Sequence, residues 1–181
     1  MFPTWDSDLF QLINQAHKPW LDQPMVLISG KLTWVPLYAF LIYLLYKKDK
    51  GDVWKSILFV ISTVIFADQI SSSILKPLFK RLRPCQVEEF QSWIHLPDGC
   101  GGLYGFCSSH SANAFAVAIG FYMVTKNKFM GALLITWALM ISYSRIYLGA
   151  HYPLDVLTGA VIGGIGALIL FQAFLKLTKK S

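Results

Sequence analysis

The chain has 181 residues, of which 55% are hydrophobic and 14% charged, against roughly half apolar and a quarter charged in soluble domains. That length fits one domain with a core of its own, and the composition suits lipid rather than water as solvent. Sixteen Lys and Arg against ten Asp and Glu give a net charge of +6, but most of these charges fall between apolar runs, so the excess reads as membrane-side bias and no nucleic-acid partner is expected.

At the start of the chain, Trp5, Leu9, Leu12, Ile13 and Ala16 recur at helical spacing, with Asp6, Asp8, Asn14 and Gln15 opposite. The pattern predicts an interfacial segment over residues 1–24, lying on the membrane surface. The alternative is that it dips in with the run after Lys18 as a sixth, imperfect span. Asp6 and Asp8 do not suit the basic start of a signal peptide, so the spans themselves are expected to direct insertion. Five apolar stretches follow, at 25–46, 56–79, 111–124, 129–145 and 152–177. Each is long enough, or nearly so, to cross about 30 Å of hydrocarbon. The third and fourth are short and are expected to extend into their flanks. The expected fold is therefore all-α: a polytopic transmembrane helix bundle of five to six spans, with residues 1–181 forming a single membrane-embedded domain. Asp68 lies deep in the second span, either as a contact between helices or as part of a headgroup pocket. Gly159, Gly163, Gly164 and Gly166 in the last span favour close helix packing, within the bundle or across a homodimer.

The loops orient the bundle. Lys47, Lys48, Lys50 and Lys55 lie in one connection, Lys126 and Lys128 in another, and Lys176, Lys179 and Lys180 at the C-terminus. With five spans these regions share one side, which the positive-inside bias makes cytoplasmic. The loop at 80–109 and the short one at 146–151 then face the other side. In a bacterial plasma or inner membrane that is the periplasm or exterior. A loop of that length is usually functional or disordered; Phe90, Trp93, Leu103, Tyr104 and Phe106 favour an ordered one. Cys85, Cys100 and Cys107 lack metal-ligand spacing, so no zinc is expected. Cys85 and Cys100 are either a disulfide closing the loop or two thiols.

Three clusters carry chemistry, and all three fall on this second side. They are Lys76 with Arg83 and Pro84 in KPLFKRLRP; Ser108, Ser109 and His110 in CSSH; and Ser144, Arg145, His151 and Asp155 in SRIYLGAHYPLD. Ionisable residues at the ends of apolar spans mark functional sites. Lys76, Arg83 and Arg145 suit a dianionic phosphoryl group, arginine adding paired donors for two oxygens at once. Lys80 and Arg81 are read instead as cations snorkelling to headgroups. His151 and Asp155, four apart at a helix start, put a carboxylate one turn from an imidazole, fixing its tautomer and leaving the other nitrogen nucleophilic. Pro153 suits the first turn of that helix. Ser108 or Ser109 caps the next helix, whose unpaired N–H groups make an anion site with His110 as a general-acid candidate.

Taken in order, KxxxxxxRP, Ser-x-His and SRxxxxxHxxxD resemble the three-part signature of the type-2 phosphatidic acid phosphatase family. Its superfamily also includes glucose-6-phosphatase, bacterial acid phosphatases and vanadium haloperoxidases. The resemblance covers 76–155 and implies that His151 attacks phosphorus, Asp155 holds its ring and His110 protonates the leaving group. It further implies that Lys76, Arg83, Ser108, Ser109 and Arg145 bind phosphate oxygens, and that no metal or other cofactor takes part. Two positions depart from the family's Pro-Ser-Gly-His: Cys107 stands for the Pro and Ser109 for the Gly. The substrate is expected to be a membrane lipid phosphate, first among the options undecaprenyl pyrophosphate, then phosphatidylglycerol phosphate, phosphatidic acid and lipid A 1-phosphate. A haloperoxidase is disfavoured by the apolar spans. An anion or lipid-phosphate transporter would place its charges near the bilayer midplane.

Overall fold

The computed structural model describes residues 2–178, so Lys179 and Lys180 of the basic cluster lie outside the described residues. Among these residues every regular element is helical. Helix α1 (Thr4–Gln15) is followed by α2 (Pro19–Ser29) and α3 (Val35–Lys48). Helix α4 (Val53–Asp68) continues through a π-helical stretch, Gln69–Leu75, into the short α5 (Lys76–Phe79). Then come α6 (Ser109–Thr125), α7 (Lys128–Tyr147) and α8 (Pro153–Thr178).

Three helices are long and apolar enough to cross a membrane: 53–79, 128–147 and 153–176. The stretch at 25–46, read as one span, is instead two helices bent by 71° around Gly30 and Lys31; counted together, α2 and α3 make a fourth. A glycine beside a charged residue, with Pro36 at the start of α3, supplies the break.

Helix α6 has only 17 residues and sits in the middle of the bundle, packed by α4, α7 and α8. Its alternating small residues Ala112, Ala114, Ala116 and Ala118 are all buried. A Cβ added at Gly159 would lie 2.4 Å from the Ser108 carbonyl oxygen, and one at Gly163 only 2.2 Å from that of Ala112. The small-residue stripe of α8 is therefore spent inside the bundle, bringing backbone onto backbone. Near the lysine-rich end, Leu41, Leu45, Phe59, Phe121, Leu134, Trp137 and Phe171 fill the apolar core.

The ends of the bundle differ in charge. Lys48 donates to the carbonyl of Val124, and the Lys126 ammonium sits 4.9 Å from the Phe171 ring, so the ends of α3, α6 and α8 lie together. The opposite end is roofed by α1 and the 80–109 loop. Asn14 ties that roof down, donating to the carbonyls of His95 (2.9 Å) and Tyr147 (2.8 Å) and accepting from the His95 N–H (2.8 Å).

Helix α1 covers the amphipathic segment that opens the chain. Its buried stripe is Asp6, Phe10 and Asn14, while Trp5 and Leu12 are 51% and 69% exposed. Asp6 and Asn14 turn to the protein while most of the apolar stripe faces outward, which suits a segment lying against lipid.

Candidate active site

The three sequence clusters meet at the roofed end. Lys76 ends the π-helical stretch, a local geometry that often marks functional segments, and its ammonium lies 3.4 Å from the Ser109 hydroxyl. The serine that stands for a glycine thus meets the lysine directly. Arg83 is held by a clasp between the ends of the loop. Its N–H donates to Leu103 (3.1 Å), its Nε to the Tyr104 carbonyl (3.3 Å), and Leu82 bridges Tyr104. The same loop carries the Cys85–Cys100 disulfide, which settles that pair as bonded.

Ser108 is the N-cap of α6. Its hydroxyl accepts from the Ser111 N–H (3.4 Å) and its own N–H donates to the Asp155 carbonyl (2.9 Å). The first caps α6 and the second joins it to α8. The anion-binding donors left at this helix start are the N–H groups of Ser109 and His110, which have no carbonyl one turn earlier to bond. Ser111 reinforces the same join, donating to the Val156 carbonyl (2.8 Å) and accepting from Ser142 (2.9 Å).

Arg145 ends α7 with only 9% of its surface exposed and donates to the Ser29 hydroxyl of α2. Its carbonyl accepts from Ala150 (3.1 Å) and His151 (3.2 Å), so the residue bearing one guanidinium also fixes the turn bearing the imidazole. That turn needs Gly149, whose φ is +71° and where a Cβ would lie 2.4 Å from Leu96.

His151 is 1% exposed. Burial first, and then the charges of Arg145, Arg83 and Lys76, hold its imidazole well below the ordinary value, so it is neutral at physiological pH. Its Nδ1 lies 3.5 Å from Asp155 Oδ2, an ion-pair distance at the outer limit for a hydrogen bond. Such catalytic contacts often tighten only when substrate binds. Asp155 is fully buried; its Oδ2 accepts from the Tyr152 N–H (3.0 Å). His110, at the mouth of a cavity, is close enough to Arg145, His151, Lys31 and Lys76 to feel their charge. Cys107, which stands for the family's proline, is buried, and desolvation pushes its thiol up to about 11, so it is not a thiolate nucleophile. Among the described residues no three His, Cys, Asp or Glu side chains are grouped to hold a metal ion.

Sequence reasoning missed Arg81. It was set aside as snorkelling, yet its side chain is 8% exposed and its Nη1 lies 2.7 Å from Asp155 Oδ1. Lys80 beside it is exposed, with φ at +47°. The two adjacent cations therefore do opposite things, and no local pattern distinguishes them.

A cavity of about 480 Å³ opens between α3, α4, α6 and α7. Its polar mouth includes Ser29, Lys31, Asp68, Ser109, His110 and Asn113, and its body is lined by Leu41, Leu45, Val60, Val64, Val117 and Ile141. Asp68 accepts from the Asn113 amide (3.1 Å), so it is both a helix contact and a wall of this cavity. His110 and Ser109 sit where the apolar groove meets the charged cluster.

Residues 53–179 match the sequence profile of the PAP2 superfamily. A lipid A 4'-phosphatase of Bacteroides thetaiotaomicron is 37% identical over 97% of this chain and 79% of its own length. An undecaprenyl-diphosphatase of Sulfolobus acidocaldarius is 31% identical over 88% of this chain and 73% of its own. Among solved structures, LpxE of Aquifex aeolicus superposes with a TM-score of 0.66 at 28% identity, covering 91% of this chain and 93% of that one.

Proposed function

Because the chain belongs to the PAP2 superfamily and is a lipid phosphatase of the integral membrane kind, we propose that its substrate is a phosphate monoester on an acylated sugar lipid of the lipid A type. The observation that carries this reading is the 37% identity to a lipid A 4'-phosphatase across 97% of the chain. It outweighs the composition-based preference for undecaprenyl pyrophosphate, whose named relative is more distant. A second observation supports a lipid over a soluble ester. The apolar cavity ends at His110, so a chain lying in it presents its phosphate to the charged cluster and its bridging oxygen to His110.

The chemistry follows from the residue types. Neutral His151 attacks phosphorus through Nε2, with Asp155 accepting from Nδ1–H as the ring becomes cationic. The P–O bond to the lipid breaks and the leaving oxygen takes a proton from His110. Lys76, Arg83, Arg145 and the first N–H groups of α6 hold the three equatorial oxygens. Water, deprotonated by His110, then attacks the phosphohistidine, releasing phosphate and restoring both imidazoles.

In the bilayer we place five spans: α2 with α3, α4 through α5, α6, α7 and α8. The lysine-rich end is cytoplasmic and the roofed end faces the periplasm or exterior. The Cys85–Cys100 disulfide supports that side, where thiols are oxidised. Purified protein in detergent, offered lipid A, undecaprenyl pyrophosphate, phosphatidylglycerol phosphate and phosphatidic acid with His151→Ala as blank, is expected to release phosphate with the highest kcat/KM from lipid A. A higher value for undecaprenyl pyrophosphate would overturn the substrate assignment and leave the phosphatase intact.

A further inference from the structure

The Arg81 guanidinium is caught between two carboxylates and two rings. Its Nη1 lies 2.7 Å from Asp155 Oδ1 and its Nη2 lies 2.6 Å from Asp6 Oδ2. The rings of Phe2 and Tyr152 are centred 4.0 and 3.7 Å from its Cζ. Each carboxylate spends its other oxygen on the backbone next to His151. Asp155 Oδ2 accepts from the Tyr152 N–H at 3.0 Å, and Asp6 Oδ1 accepts from the Leu154 N–H at 2.8 Å. Asp6 and Asp155 are both 0% exposed.

A snorkelling arginine keeps its head in water; this one, with 8% of its side chain exposed, gives up most of its water for two charge-assisted bonds and two faces of π density. Buried charges of this kind are tolerated only when every partner is in place. None of these contacts reaches toward Lys76, Arg83 or Arg145, the cations assigned to phosphate. Both carboxylates and the Tyr152 ring lead to the start of α8.

We propose that Arg81 and Asp6 are positioning residues that hold Asp155, and through it the His151 ring, so that α1 is part of the catalytic apparatus and not only a surface helix. The proposal rests on the reading of His151 as nucleophile. Asp155 is faced by Asp6 from α1, by Arg81, Arg83 and Cys107 from the loop before α6, and by His151 and Tyr152 from its own end of α8. Among the described residues only Arg81 contacts both carboxylates, so its loss leaves two buried acids without the cation that bridges them. The side chain of Asp155 then shifts or takes up a proton, and the imidazole loses its orienting acceptor.

The test compares Arg81→Gln, Arg81→Lys, Asp6→Asn and Arg81→Gln with Asp6→Asn, all purified in detergent. The readouts are kcat and KM on lipid A, thermal midpoint, and the imidazole 15N shifts of labelled His151. A misplaced catalytic group typically loses about 10²-fold in rate. Arg81→Gln is therefore expected to lose about 10²-fold in kcat with KM unchanged, and Arg81→Lys, which can reach one carboxylate, to fall between. Asp6→Asn should lose less, and the double variant no more than Arg81→Gln alone, because the two act as one unit. The 15N shifts should show the Nδ1–H tautomer in the native protein and its loss in Arg81→Gln. Folded Arg81→Gln with native kcat would overturn the proposal. If that variant does not fold, native kcat in the near-isosteric Asp6→Asn would do so. If the native protein releases no phosphate from any lipid, the functional reading fails by itself, and the imidazole shifts still decide whether Arg81 sets the ring.

Discussion

The two ends of the bundle handle positive charge in opposite ways. At the lysine-rich end Lys55 and Lys126 have modest partners near the surface. Lys55 reaches Asp52 at 2.8 Å, with that carboxylate's side chain 41% exposed, and Lys126 lies over the rings of Tyr122 and Phe171. At the roofed end Arg81 and Arg145 are 8% and 9% exposed, and each ties together elements far apart in sequence. Charges of the first sort act through a screened field; those of the second act through fixed geometry. Substitutions at the roofed end should therefore change turnover, and those at the other end should barely register.

The sharpest break is His151→Ala, expected to lower phosphate release by at least about 10⁴-fold, as removal of a nucleophile does elsewhere, and to abolish acid-labile labelling of the protein by a radioactive phospholipid. Next comes Arg145→Lys, which keeps the charge but loses the planar pair of donors. A fall of about 10²-fold in kcat is expected. If lysine serves as well as arginine there, fixed geometry is not what distinguishes the two ends. The pH profile sharpens the contrast further. His151 is held below its ordinary value of 6.5, so its protonation cannot limit kcat/KM until the medium is more acidic than that; a 15N titration of labelled His151 with its midpoint at or above pH 6.5 would contradict the buried, neutral ring. Replacing Cys85 and Cys100 together by Ser should cost about 3 kcal/mol of stability for a loop of 15 residues, read as a lower thermal midpoint. The smallest effect is expected from Asp52→Asn at the lysine-rich end, within about 0.5 kcal/mol and without effect on kcat.

Much of the site was legible because its chemistry is written in short, local spacings. Lys76 and Arg83 flank one span end, Ser108 to His110 open a helix, and His151 and Asp155 lie one turn apart. Each needs only a helix period and a loop to be placed. Arg81 and Asp6 were illegible for the converse reason. Arg81 meets its partners 74 and 75 residues away, and beside Lys80 it looks like any cation at a span end. The apolar stripe of α1 was legible from its period; that Asp6 and Asn14 turn inward was not, because their partners lie up to 148 residues away. The bend between α2 and α3 was foreshadowed by Gly30, Lys31 and Pro36, but the apolar run on either side masked it. The cavity below His110 had no sequence signature, since its walls come from four different helices.

The bond from the Leu154 N–H to Asp6 joins residues 148 positions apart. A ribosome delivers the first of these long before the last helix exists, so until then Asp6 can meet Arg81 but has no start of α8 to grip. Until then the contact that ties α1 to α8 is missing, and the first-made helix can take its final seat only after the last one has been delivered.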